Sequence, residues 1–200
     1  MKYTEEQDKV SYCLGLSIAS NLITSGVKSI SVDPFMEALD AAFNGKMPEL
    51  SPEEANNILQ EYFGKIQEEQ AGKAIEAGKK FLEENAKKEG VTTTDSGLQY
   101  EVITEGKGDT PKGTDSVKCH YHGTLIDGTV FDSSVNRGEP ATFPVNGVIG
   151  GWIEALQLMP VGSKWKLYVP SDLAYGAQGA GNLIGPHTTL IFEVELLEVV

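Results

Sequence analysis

Two charged residues stand out in "TVFDSSVNRGEPATFPVNGVIGGWIEAL", residues 129–156. Asp132 and Arg137 sit among Phe131, Phe143, Val148, Ile149 and Trp152, with Gly and Pro between them. Two arrangements satisfy that composition. In one, the aromatics are ordinary core and the acid and base pair at its edge. In the other, the apolar groups wall a cavity, and a few polar groups (Tyr121, Asp132, Arg137, Tyr175) orient whatever enters, the usual makeup of a small-ligand site. The pattern alone leaves both open.

Other chemistries lack parts. His120, His122 and Cys119 tempt a metal reading, but strand alternation puts Cys119 on the face opposite the histidines and no fourth ligand is near, so no metal is expected. "GAQGAGNLIG" is Gly-rich without being a phosphate loop: no Lys-Ser/Thr follows, and a strand comes next rather than a helix. No Gly-x-Ser-x-Gly turn exists, so nucleophilic hydrolysis has no support. Asp132 with Glu139 or Glu154 would make a carboxylate pair, but nothing in the spacing forces them together. His187, after Gly185-Pro186, reads as the start of the last strand. No cofactor is implied.

Composition narrows the field further. The chain has 200 residues, a formal charge of −13 and an ordinary apolar fraction of 40%. That charge argues against nucleic acid or an anionic membrane as partner. Cys13 and Cys119 lie far apart in apolar-patterned stretches and read as free buried thiols. Residues 10–27 carry no charge, yet Ser, Tyr, Asn, Thr and Gly recur through them, too polar for a spanning helix. "MKYTEEQDKV" lacks a basic and then apolar leader pattern, so a cytoplasmic location is expected, or an exported or periplasmic one if a leader has been removed.

The elements that must position these residues change character near "KKEGVTTTDSG". Residues 1–90 read as helices and 91–200 mostly as strands, and we place the domain boundary there. In the first helix Val10, Cys13, Leu14, Ile18 and Leu22 form one apolar stripe. Tyr12, Gly15, Leu16, Ala19 and Ile23 form a second. A helix apolar on two faces needs two partners, which suggests a homodimer whose first helices bury each other, the alternative being that the N-terminal helices pack on the second half. The second helix is expected to start with Asp33 as N-cap and Pro34 at the first position, and to stop at Gly45. The third opens on a Ser51–Glu54 capping box with Pro52 at the first position, and runs to about Asn85. Its middle, "QEEQAGKAIEAGKK", is polar nearly all round and reads as a solvent-bridging stalk about 50 Å long.

In the second half, period two marks strands at "GLQYEVI", "ATFPV", "SKWKLYVP" and "TTLIFEVELLEVV". "DSVKCHYHGTLIDGTVFDSS" gives two more, joined by a two-residue turn at Asp127-Gly128. One short helix remains, "GWIEALQLM". The fold class is therefore α+β: a curved antiparallel sheet of about five strands wrapped around a short helix, behind an all-helical N-terminal domain.

Three blocks together resemble the FK506-binding-protein (FKBP) family of peptidyl-prolyl cis–trans isomerases: "VKCHYHGTLIDGTVFDSS", "FPVNGVIGGWIEALQLMPVGSKWKLYVPSDLAYG" and "IGPHTTLIFEVELLEV". The helical half is similar to that of the dimeric bacterial members, the macrophage infectivity potentiators and the 22-kDa type. The resemblance implies the FKBP fold, a homodimer interlocked through the N-terminal helices, proline-containing unfolded polypeptides as substrates, and macrolides of the FK506/rapamycin class as inhibitors. It implies a site of Tyr121, Phe131, Asp132, Tyr175 and Phe192, with Arg137, Phe143, Val148, Ile149, Trp152 and Ile184 binding substrate. Trp152 is then the floor, and the Ile149 amide and Tyr175 hydroxyl donate to ligand carbonyls. Accessory chaperone activity is expected too, because catalysis alone leaves the extra 90 residues unexplained, with a holding chaperone or peptide-binding module as the alternative. The chain departs from the pattern at Ala141 and Ala180, where eukaryotic members often carry an aromatic and a His.

Overall fold

The structure, a computed structural model, describes residues 2–200. The chain divides into two compact units, one ending at Gln67 and the other spanning Glu68–Val200. Helices α1 (Glu6–Thr24) and α2 (Val32–Phe43) belong to the first, and α3 (Pro52–Asn85) runs from the first into the second.

Local chemistry explains the helix ends. Gly26 takes a left-handed φ of 87°, which lets the Val27 amide fold back onto the Leu22 carbonyl and close α1. The capping box forms as read: the Glu54 amide donates to Ser51 Oγ, and the Ser51 amide donates to the Glu54 carboxylate. The start of α2 differs. Ser31, not Asp33, is the N-cap, and Pro34 falls two residues inside the helix. A proline is tolerated throughout a first turn, because those amides have no intrahelical acceptor to lose.

No residue of α1 or α2 is buried, and both apolar stripes of α1 are exposed, including Leu14, Leu16 and Ile23. The middle of α3 also differs from a stalk wetted on every side. Gly78 and Asn85 are buried, and a Cβ on Gly78 would lie 2.4 Å from the Thr189 hydroxyl. Asn85 donates to the Gln99 side chain at 2.9 Å, Gln99 donates to the Leu82 carbonyl at 2.9 Å, and the Phe81 ring lies 5.9 Å from that of Tyr168. Glycine is therefore what lets this turn of α3 approach the strand leading into the sheet.

The sheet has seven strands, one more than the six stretches read from period two. They are β1 (Val91–Thr93), β2 (Gln99–Thr104), β3 (Ser116–Leu125), β4 (Val130–Ser133), β5 (Ala141–Pro144), β6 (Lys164–Val169) and β7 (Leu190–Val199). All pair antiparallel in the order β1-β2-β6-β7-β3-β4, with β5 also on β3. The added β1 is too short to show a period. The β3–β4 turn is also longer than two residues: Leu125 donates to the Thr129 carbonyl, and Gly128 (φ 87°) donates to the Leu125 carbonyl. Only Gly128 in this loop has positive φ, whereas a two-residue turn of the favoured type would need two such residues.

Two short helices complete the unit, α4 (Ser134–Arg137) and α5 (Gly150–Leu156). The sheet closes over α5, which buries Gly151, Trp152, Ala155 and Leu156 against Leu98, Val117, Leu167, Val194 and Leu196. On β3 the inward set Val117, Cys119 and Tyr121 is buried, as alternation requires. His120 and His122 point to the other face, half-buried against the hydroxyls of Ser134 and Ser133.

Candidate functional site

Between α5, the sheet and the loop before β7 lies a cavity of about 840 Å³. Its lining includes Tyr121 from β3, Phe131 and Asp132 from β4, Phe143 from β5, Trp152 from α5 and Phe192 from β7. Val148, Ile149, Tyr175 and Ile184 join them, so ten of the eleven site residues expected from sequence line one space. Arg137 lines no part of it. It reaches the site through Asp132 and Tyr121.

The aromatic groups are locked edge to face. Trp152, nearly fully buried, has ring neighbours Tyr121 at 5.5 Å, Phe143 at 5.9 Å and Phe192 at 5.3 Å, each within 9° of perpendicular. Phe131 meets Phe192 at 5.4 Å in the same manner. Such contacts favour a fixed ring set over a mobile one. Gly123 makes the Phe131–Phe192 contact possible, since a Cβ there would lie 2.6 Å from one ring and 3.1 Å from the other. Ile149 is the N-cap residue of α5, so the backbone turns into the helix at the cavity wall. The Trp152 indole N–H is buried and has no hydrogen-bond acceptor within the chain.

The polar groups form one network. The Tyr121 hydroxyl donates to Asp132 Oδ2 at 2.5 Å and accepts from Arg137 Nη2 at 2.8 Å, while Arg137 Nη1 donates to Asp132 Oδ1. The guanidinium carbon lies 5.5 Å from the Tyr121 ring centre. Burial alone would raise the Asp132 carboxyl, but hydrogen bonds from Tyr121 and Arg137 and the guanidinium charge outweigh it and hold the group below the usual carboxylate range. Burial first, and then its bond to Asp132, pushes the Tyr121 phenol up. Asp132 is thus an anion and Tyr121 a neutral donor near neutral pH. Both readings of the acid–base pair in the sequence hold at once: Asp132 and Arg137 pair at the rim, and Asp132 also faces the cavity.

Sequence reasoning missed Asn182 and Leu183, which line the cavity with Ala180 and Gly181 from the Gly-rich loop. An isolated bridge between Ala180 and Ile184 folds that loop back on itself. Gly179 makes this possible, with φ 64° and space for no Cβ against the Ile184 carbonyl. The run of glycines was the available signal for a close backbone approach. Among the described residues no group of His, Cys, Asp or Glu could hold a metal ion. No helix among them is long and apolar enough to cross a membrane.

Residues 107–197 match the family model described as FKBP-type peptidyl-prolyl cis-trans isomerase, and residues 7–102 match the domain amino-terminal to it. The chain belongs to the FKBP-type peptidyl-prolyl cis–trans isomerases and is an enzyme of that activity. It is 52% identical to the FKBP-type 22 kDa isomerase of Escherichia coli over 96% of this chain and 94% of that one. It is 41% identical to the outer membrane protein MIP of Legionella longbeachae over 98% and 87%. The crystal structure of FkpA from E. coli superposes with a TM-score of 0.73 at 37% identity, covering 98% of each chain.

Proposed function

We propose that the cavity centred on Trp152 is where X–Pro bonds rotate, with Trp152, Tyr121, Phe143 and Phe192 receiving the proline ring. The observation that carries this reading is the perpendicular packing of three aromatic rings about Trp152, next to the Tyr121–Asp132–Arg137 network. Peptide rotation is slow because planarity carries resonance, a barrier of about 18–20 kcal/mol. No bond is made or broken, so the enzyme need only bind the twisted amide more tightly than either planar form. The twisted amide has lost resonance and its carbonyl is less polar. A dry aromatic enclosure therefore disfavours the planar states more than the twisted one. The Ile149 amide and Tyr175 hydroxyl hold the flanking peptide. Phe131, Val148 and Ile184 complete the walls. Asp132 orients Tyr121 or polarises the twisted carbonyl, and Arg137 fixes Asp132. The test is the rate on a short proline peptide after Asp132→Leu and Tyr175→Phe; wild-type rates in both would remove the assignment.

The same volume falls in the range of drug-sized sites, which supports macrolides of the FK506/rapamycin class as inhibitors. Tight competition against the peptide would bear this out. The exposed stripes of α1 support a homodimer through the N-terminal helices, with residues 1–90 as dimerisation and stalk domain and 91–200 as isomerase domain. Two linked pockets would give whole unfolded chains a second, intramolecular contact, the basis for an accessory chaperone role. Comparing refolding of a proline-limited protein with aggregation of a proline-free one separates the two activities. A cytoplasmic location is our reading, supported by two free cysteines, one of them exposed; cell fractionation decides it against an exported form.

A further inference from the structure

We propose that Ser134, which lines no part of the cavity, is the positioning residue that fixes Tyr121 inside it. The outer edge of β3 changes partner along its length. β5 pairs with Ser116–Cys119, and β4 pairs with His122–Thr124. His120 and Tyr121 fall in the gap between the two, while on the other edge of β3 both are in register with β7, opposite Glu195 and Val194. Backbone groups buried in such a gap need partners from elsewhere. Ser134, fully buried, supplies both for Tyr121: its Oγ accepts from the Tyr121 amide at 2.7 Å and donates to the Tyr121 carbonyl at 3.2 Å. The His120 ring nitrogen lies 3.1 Å from the same oxygen and holds it from the third side.

A hydroxyl accepts and donates at one atom, and no apolar residue of this size does both. The gap lies at the residue whose phenol bonds Asp132 and Arg137 and whose ring packs on Trp152. Ser134 also opens α4, the turn that carries Arg137. One side chain therefore ties the backbone of Tyr121 to the segment bearing its hydroxyl's partner. Without that tie, β3 is free to shift at Tyr121 and the phenol leaves its place among Asp132, Arg137 and Trp152.

This rests on the cavity being the isomerase site. The test uses the full chain with Ser134→Ala, Ser134→Thr and Ser134→Val. Thr and Val have the same shape and differ by the hydroxyl. Activity on a short proline peptide is read beside the two indole N–H resonances, Trp152 near Tyr121 and Trp165, which stacks on Tyr100 at 4.3 Å. We expect Ala and Val to lower kcat/KM about tenfold, Thr to restore most of it, and the Trp152 resonance alone to move in Ala and Val. If Ala fails to fold, the Thr–Val pair decides. With Asp132→Leu impaired, equal activity in Thr and Val would overturn the role, as would loss of activity with both indoles displaced together. Asp132→Leu in parallel separates the two ideas. If it loses activity while the Ser134 variants do not, only the role of Ser134 fails. If neither loses activity but the Trp152 resonance still moves, the cavity reading fails and the tie stands.

Discussion

The two compact units use apolar residues in opposite ways. Glu68–Val200 encloses its large side chains: Leu98, Leu156, Met159 and Leu167 have next to no exposure. Up to Gln67 only Val27 is buried among the described residues, while Phe43 is 86% and Met47 96% exposed. A few scattered exposed apolar groups are normal, but stripes along three helices are not. Short helices also gain most of their stability from a packed face rather than from propensity. The second unit thus has a closed core of its own. The first has spent its apolar surface outward, so its stability and its assembly become one question.

The largest expected effect tests that question directly. If α1 pairs between two copies as proposed, Leu16→Glu or Ala19→Glu puts a charge in that contact, where an unpaired buried charge costs several kcal/mol. We expect monomers by sedimentation, with tetrapeptide activity retained and refolding of a whole protein much reduced. Cys13, in the first of these stripes, should react faster with thiol reagents in the variant than in the parent, while Cys119 stays inert in both because burial pushes its thiol up to about 12. A variant that stays dimeric removes the interface.

A smaller effect sharpens where the self-sufficient unit starts. Fragments 68–200 and 91–200 both keep the sheet, α5 and the cavity, so both should be monomeric and active on short peptides. The shorter one loses the Asn85–Gln99 and Phe81–Tyr168 contacts and leaves Gln99 short of partners. An unsatisfied buried amide costs about 1–3 kcal/mol. We expect 91–200 to melt roughly 5–15 °C below 68–200. Equal melting temperatures would keep the domain edge at residue 91.

This edge also shows what the sequence carried and what it withheld. The capping box, the glycine stop of α2, and the strands with inward Val117, Cys119 and Tyr121 were legible because they depend on neighbours three residues away or on period two. The cavity lining was legible through the resemblance, whose blocks hold ten of the eleven expected residues, all but Arg137. Docking of α3 was not legible. It rests on a glycine, Gly78, meeting Thr189 more than a hundred positions later, and on amides whose partners only the fold supplies. Asn182 and Leu183 were missed for a similar reason, since a loop without period gives no sign of which side faces in. Ser134 was hidden because its role depends on a gap between β5 and β4 that exists only once the sheet is paired.

Within the second unit, Asp132→Leu and Tyr175→Phe probe the cavity without touching the core. Each should lower kcat/KM on a tetrapeptide by roughly 10- to 100-fold, about 1.4–2.7 kcal/mol of transition-state binding, with unchanged circular dichroism. Asp132→Leu should be the more severe, because it removes the acceptor of the Tyr121 hydroxyl and leaves Arg137 unpaired. Variants at wild-type rates would mean that the polar rim serves structure alone.

The smallest effect is the stability that the same rim gives. In the folded chain the Asp132 carboxyl ionises below its ordinary value of 3.8, against burial, because Tyr121 and Arg137 bond the anion. The folded chain therefore holds that proton less readily than the unfolded one, and acid favours unfolding. The contribution is fully present above the ordinary carboxylate range and drains away as pH falls through the lowered folded value. Because Asp132 and Arg137 side chains are both about half exposed, water screens the pair and the effect is small. Urea midpoints of the parent and of Asp132→Asn, taken between pH 7 and pH 3, should differ modestly at neutral pH and converge toward the acid end. The Tyr121 phenol, pushed up in the folded chain, acts at the opposite limit: its contribution is present below the ordinary tyrosine range and is lost as pH rises through the raised folded value. A difference that widened as pH fell would mean that the carboxylate is destabilising where it stands, and that the rim is held together by Tyr121 and Arg137 alone.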